Sequence, residues 1–203
     1  MTSFHVYWWT LERKDGKDNF GDILSKYLIE KISKKEVIKV SHPSMRRYKY
    51  FIKHYLTIGS ILEVANSNSI IWGSGIIREN QFVKKAKFLA VRGPRTRNRL
   101  IELGYKVPEV YGDPAILLPK YFNNTIKKKY KIGIIPHIRH YEEVRDYFGK
   151  DERIKIINLL TDDIEKTINE ILECFMIISS SLHGVIVSQS YLFHHYGLNS
   201  RKN

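Results

Sequence analysis

Cysteine occurs once in the 203 residues, as Cys174, so no internal disulfide can form. Such sparing use suits a reducing cytoplasm. Long apolar runs are missing as well. The N-terminal run from Phe4 to Trp9 is interrupted by His5 and is too short for a signal peptide or a membrane span. No Asp-x-Asp pair and no Cys/His cluster offers metal ligands. No Gly-x-Ser-x-Gly elbow marks a serine hydrolase, and no recognised nucleic-acid motif is present. Acidic residues are scarce: 21 Asp+Glu stand against 34 Lys+Arg, leaving a net charge of +13. An excess of that size asks for anionic partners: a phosphorylated ligand or an anionic membrane surface touched peripherally, with no motif to support nucleic acid. One stretch lacks charge altogether. From Cys174 to Ser200 there is no Asp, Glu, Lys or Arg, but Ser, His, Gln and Asn interrupt it, so it reads as buried and not as membrane-spanning.

What the chain does contain is 43% hydrophobic residues, ample for a core, arranged as alternating short apolar runs and amphipathic stretches. Strands are expected at Phe4–Trp9, Val37–Val40, Ile70–Trp72, Phe88–Val91, Ile132–Ile135, Ile154–Ile157 and Phe175–Ile178, the last as a buried strand. Helices are expected after Asn19-Phe20-Gly21-Asp22, with Ile23, Leu24, Tyr27, Leu28 and Ile32 on one face, and after Gly93-Pro94. Two more are expected, one from about Tyr141 and one capped by Thr161. Ser41 to His54 is basic and aromatic, with Arg46, Arg47, Tyr48, Lys49, Tyr50 and Lys53, and has no clear period. Pro119 to Lys131 is polar and lysine-rich and reads as a linker. Alternation of this kind predicts an α/β fold with two Rossmann-like parallel-sheet units: residues 1–118, a linker at 119–131, and residues 132–203.

The polar residues with chemistry in them gather at the expected C-terminal ends of strands, where parallel sheets take ligands. Asn19, Gly21 and Asp22 open the first helix. Gly73, Ser74 and Gly75 make a small loop, without the spacing of a dinucleotide or phosphate loop. Arg92 ends a strand beside a helix start, and Asp113 lies in a later turn. His137 and Arg139 follow the first strand of the second unit. Ser179, Ser180, Ser181, His183 and Gly184 join a strand to a helix, an arrangement that offers hydroxyls, helix-terminal N–H groups and a group that exchanges protons near neutral pH. The same pattern equally suits a serine-capped helix with a packed histidine.

The chain resembles the polysaccharide pyruvyl transferase family. The resemblance is carried by Asn19-Phe20-Gly21-Asp22, Trp72-Gly73-Ser74-Gly75, Val91-Arg92-Gly93-Pro94-Arg95-Thr96, Gly112-Asp113-Pro114-Ala115, Ile135-Pro136-His137 and Ser179-Ser180-Ser181-Leu182-His183-Gly184. It implies a glycosyltransferase-B-like arrangement and transfer of a pyruvyl group from phosphoenolpyruvate, used as substrate with no cofactor, to a glycan or lipid-linked sugar acceptor. The setting implied is the cytoplasm, peripheral to the inner face of the membrane. His183 would be the acid/base residue, and Arg92 with the serine loop would hold the donor's anionic groups. His137 and Arg139 would face donor or acceptor, and Asn19 and Asp22 would be acceptor-side or helix-capping. A nucleotide-sugar glycosyltransferase of the same architecture and a non-catalytic remnant are the alternatives. Two departures stand out. Ser181 occupies a position where some members carry an arginine that binds phosphoenolpyruvate. The tail His194-His195-Tyr196-Gly197-Leu198 is unlike the strand expected there, so the second unit reads as partial and a frameshift in the gene is the expectation.

Overall fold

In chain order the computed structural model of the protein has β1 (Phe4–Tyr7), β2 (Asp18–Asn19), α1 (Phe20–Ser33), β3 (Val37–Lys39), β4 (His54–Leu56), β5 (Ser69–Trp72), β6 (Lys87–Ala90) and α2 (Pro94–Glu102). There follow α3 (Leu118–Tyr121), β7 (Tyr130–Ile135), α4 (Tyr141–Phe148), β8 (Ile154–Ile156), β9 (Leu160–Thr161), α5 (Ile164–Leu172), β10 (Cys174–Ser179) and α6 (Leu182–Asn199). The structure describes residues 3–42 and 52–199, and only the backbone of residues 192–199. The basic stretch Arg46 to Tyr50 and the side chains of His194 and His195 lie outside the described residues. The chain divides into two units, Met1–Trp9 with Asp22–Pro114, and Thr10–Gly21 with Ala115–Asn203.

The first unit is built on a parallel sheet in the order β3-β1-β4-β5-β6. Alternation along β1 sends side chains to both faces. Val6 and Trp8 pack with Ile29 of α1 and with Val37, whereas Tyr7 joins Leu56, Leu62, Ile71 and Leu100 of α2. A parallel sheet covered on both faces is the arrangement the continuous apolar strands require. On α1 the buried residues are Phe20, Gly21, Leu24, Ser25, Leu28 and Ile29, while Ile23, Tyr27 and Ile32 are only half-buried, so the buried face is rotated from the expected one. Gly93 serves as N-cap of α2 with Pro94 in the first turn, as the sequence indicates. The turn at Tyr111 adds a parallel bridge to Val91 beside β6.

The second unit carries a parallel three-stranded sheet, β10-β7-β8, and a two-residue antiparallel pair, β2 with β9. Within 119–131, α3 occupies the start and β7 begins at Tyr130. Two sequence expectations are corrected here. The cap of α5 is Asp163, whose Oδ1 accepts from Lys166 N at 2.9 Å. Thr161 belongs to β9, and its Oγ1 accepts from Asp163 N at 3.0 Å. The second correction concerns β10. The run Phe175 to Ile178 reads as buried, yet Phe175, Met176 and Ile178 are 68%, 58% and 53% exposed. The cause is topology: β10 is an edge strand with β7 as its one neighbour among the described residues.

Candidate active-site residues

In the first unit the loops after β4, β5 and β6 are knitted into one surface. Gly75 N donates to Gly59 O at 3.1 Å, Ser74 Oγ donates to the same carbonyl at 2.8 Å, and Arg92 N donates to Ser74 O at 3.2 Å. The guanidinium of Arg92 is half-buried and donates through Nη2 to Ile76 O at 3.1 Å. Its Nη1 is buried with no hydrogen-bond partner. Burial holds the Arg92 guanidinium below its ordinary pKa, with the charge of Asp113 acting in the opposite direction. Asp113 itself is buried. The absence of a side chain at Gly75 is what admits the arginine: a Cβ there would stand 2.8 Å from Arg92 Cζ. Asp22 reaches the same region, 3.6 Å from the position a Cβ would take on Gly59. Sequence reasoning missed Gly59; its signal was the Gly59-Ser60 pair ending an apolar run.

In the second unit two distant segments meet. Asn19 Oδ1 accepts from Gly21 N at 2.9 Å and so caps α1. Directly over that first turn lies the ring of His183: a Cβ on Gly21 would stand 2.0 Å from His183 Nδ1. The histidine therefore packs on bare helix backbone that only glycine provides. The serine loop is largely engaged within itself. Ser179 Oγ lies 3.0 Å from the carbonyls of Ile135 and Ser181 and accepts from Ser181 N, while Ser180 N donates to Ile135 O. Ser180 Oγ accepts from His137 N at 2.9 Å, tying the loops after β7 and β10 together. His137 Nδ1 accepts from Arg139 N, and both side chains are exposed. Gly184 lets α6 approach the sheet, since a Cβ would meet Ser179 Oγ. The first intrahelical bond of α6 runs from Val185 N to Ser181 O, so its open N-terminus spans Leu182 to Gly184.

The structure thus groups Asp22, Gly73, Ser74, Gly75, Arg92 and Asp113 in the first unit. It groups Asn19, Gly21, His137, Arg139, Ser179, Ser180, Ser181, His183 and Gly184 in the second. A groove of about 640 Å³ beside α3 and α6 is lined by Ile116, Pro119, Lys120, Ile186 and Gln189, and by none of these residues. Among the described residues no group of three or more His, Cys, Asp or Glu could hold a metal ion, and no helix is long and apolar enough to cross a membrane.

Parallel sheets whose strand ends carry a half-buried arginine in one unit and a backbone-stacked histidine in the other define an α/β protein. The chain matches the polysaccharide pyruvyl transferase family over residues 6–191, and it belongs to that family. It is 30% identical over 178 residues to an uncharacterized protein of Acanthamoeba polyphaga mimivirus, a match covering 85% of this chain. The chain spans 61% of the length of that relative. No solved structure matches it.

Proposed function

We propose that this chain acts in the transfer of a pyruvyl group from phosphoenolpyruvate to a sugar of a cell-surface polysaccharide or its precursor, forming a cyclic ketal. The observation that carries the reading is the unused Nη1 of Arg92. A buried, unpaired donor on a charged group is costly unless a ligand supplies the acceptor. The carboxylate and phosphate of phosphoenolpyruvate suit a guanidinium fork, and membership of the family supplies the reaction class.

The chemistry balances without an oxidant or reductant. A proton is added to the methylene carbon of phosphoenolpyruvate, and the adjacent carbon becomes cationic. One sugar hydroxyl adds there. Phosphate leaves with the electron pair of its C–O bond, a second hydroxyl takes its place, and both hydroxyl protons are released. His183 is the group assigned to move a proton, since a neutral imidazole and its conjugate acid are both accessible near pH 7. Arg92 holds the donor and stabilises the charge on the departing phosphate. Asp22 serves the acceptor side, while Asn19 caps α1.

Release of phosphate from phosphoenolpyruvate in the presence of candidate diol sugars tests the activity. Arg92→Ala is expected to weaken phosphoenolpyruvate binding by ~1.5–3 kcal/mol, the range for a hydrogen bond to a charged group. His183→Ala is expected to cut turnover by ~10²–10⁴ with the fold retained. Calorimetry showing equal affinity for wild type and Arg92→Ala would remove the arginine from the donor site.

A further inference from the structure

We propose that the segment of residues 76–87, a loop running into the start of β6, is a membrane-docking element that inserts Ile77 and Phe82 into the surface of an anionic lipid bilayer. The inference stands apart from the pyruvyl-transfer reading. It begins with an anomaly of burial. Ile76 and Val83 anchor the loop in the core, whereas Ile77 and Phe82 are 68% and 65% exposed. An apolar side chain left outside by a slack loop would need no explanation, but this loop is braced. Gln81 Oε1 accepts from Ile77 N at 2.9 Å and Arg78 N at 3.4 Å, and Gln81 N donates to Arg78 O. Arg99 donates to the carbonyls of Asn80 and Gln81, and Tyr105 Oη donates to Val83 O. The loop is thus held in a shape that keeps both large apolar side chains in water.

The surrounding charge identifies the occupant. Arg78, Lys84, Lys85 and Lys87 share the segment with a single acidic residue, Glu79, which lies 3.8 Å from exposed Arg95. Two exposed apolar side chains on a segment rich in cations fit a fluid interface that is apolar below and anionic above. A protein socket would call for a shaped, largely uncharged patch. The root of the loop is also informative: the Ile76 carbonyl holds Arg92 Nη2. Docking through Ile77 and Phe82 would place the Arg92 guanidinium next to the lipid headgroups.

Co-sedimentation of the full chain with phosphatidylglycerol vesicles, and separately with phosphatidylcholine vesicles, tests this at physiological salt. Binding is expected to the anionic vesicles only. Ile77→Ser with Phe82→Ser is expected to weaken it about tenfold or more through lost apolar insertion. Lys84→Ala with Lys85→Ala is expected to do so by a similar factor through lost attraction to the headgroups. Tyr147→Ser with Phe148→Ser, which alters exposed aromatic residues of α4, should change nothing. Absence of binding to phosphatidylglycerol, equal binding to both lipids, or loss of binding in the α4 pair would overturn the proposal. So would a serine pair at residues 77 and 82 that binds as well as wild type, since that result means plain electrostatic adsorption.

Discussion

At Gly21 and Gly75 the side chain is missing where a functional group needs the room. A Cβ on Gly21 would overlap the His183 ring, and one on Gly75 would press on the Arg92 guanidinium. Overpacking of this kind typically costs ~1–3 kcal/mol or forces the neighbour away. Gly21→Ala is therefore expected to move the His183 ring off the α1 N-terminus, read as a large change in its imidazole NMR signals; unchanged signals would disprove the stacking. Cys174 gives a pH prediction. It is 2% exposed, and burial pushes its thiol up to about 11 from an ordinary value of 9.0. A raised folded-state pKa on an acid favours the neutral thiol. The resulting stabilisation is complete below the unfolded value and disappears as pH rises from about 9 through about 11. Denaturant midpoints falling across that window, steeper than in Cys174→Ala, would confirm it. Alkylation of native Cys174 at pH 7 should be slow, because the thiolate is the nucleophile and almost none is present.

At the scale of elements, short signals with one physical meaning were legible in the sequence. Gly93-Pro94 marked the start of α2, Asn19 was one of two cap candidates for α1 beside Asp22 and is the one that caps it, and the apolar runs marked the parallel strands other than β4 within a residue or two. What was not legible depended on neighbours far along the chain. Thr161 and Asp163 both have N-cap chemistry, and pairing of Thr161 with Asp18 in the β2–β9 ladder leaves Asp163 to cap α5. Asp163→Ala is accordingly expected to destabilise the protein by ~1 kcal/mol, the usual cost of losing an N-cap. A midpoint shift in urea reads this out, and no shift would return the cap to Thr161. Gly59 escaped notice because its part in the site is a carbonyl, which accepts from Ser74 and Gly75, and a carbonyl leaves no signature in the side-chain pattern. The convergence of Gly21 and His183 was likewise invisible, since no periodicity records that a ring rests on a helix start.

At the scale of the molecule the unbalanced feature is the outer edge of the second sheet. An uncharged apolar run signals a strand with partners on both sides, and β10 has that composition with a neighbour on one side only among the described residues. Phe175, Met176 and Ile178 stand open there, and Leu182 and Val185 extend the same apolar character into α6. An unpaired edge presents backbone N–H and C=O groups as a template for another strand, and the apolar side chains reward the pairing. No lysine, proline or bulge blunts it, because residues 174–179 contain neither charge nor proline. The isolated chain should therefore self-associate through β10 at micromolar concentration, seen as concentration-dependent species in sedimentation velocity. Placing charge on the edge removes the template, so Phe175→Lys with Ile178→Lys is expected to return the chain to monomer. Exposed sites tolerate such changes with little loss of stability, within about 0.5 kcal/mol each. Hydrogen exchange supplies the independent readout. In the monomeric Phe175→Lys, Ile178→Lys chain, β10 amides should exchange faster than those of β1 and β4, which have strands on both sides. A chain that stays monomeric at high concentration, with β10 protected as well as β4, would show that this edge is not a docking surface for another strand.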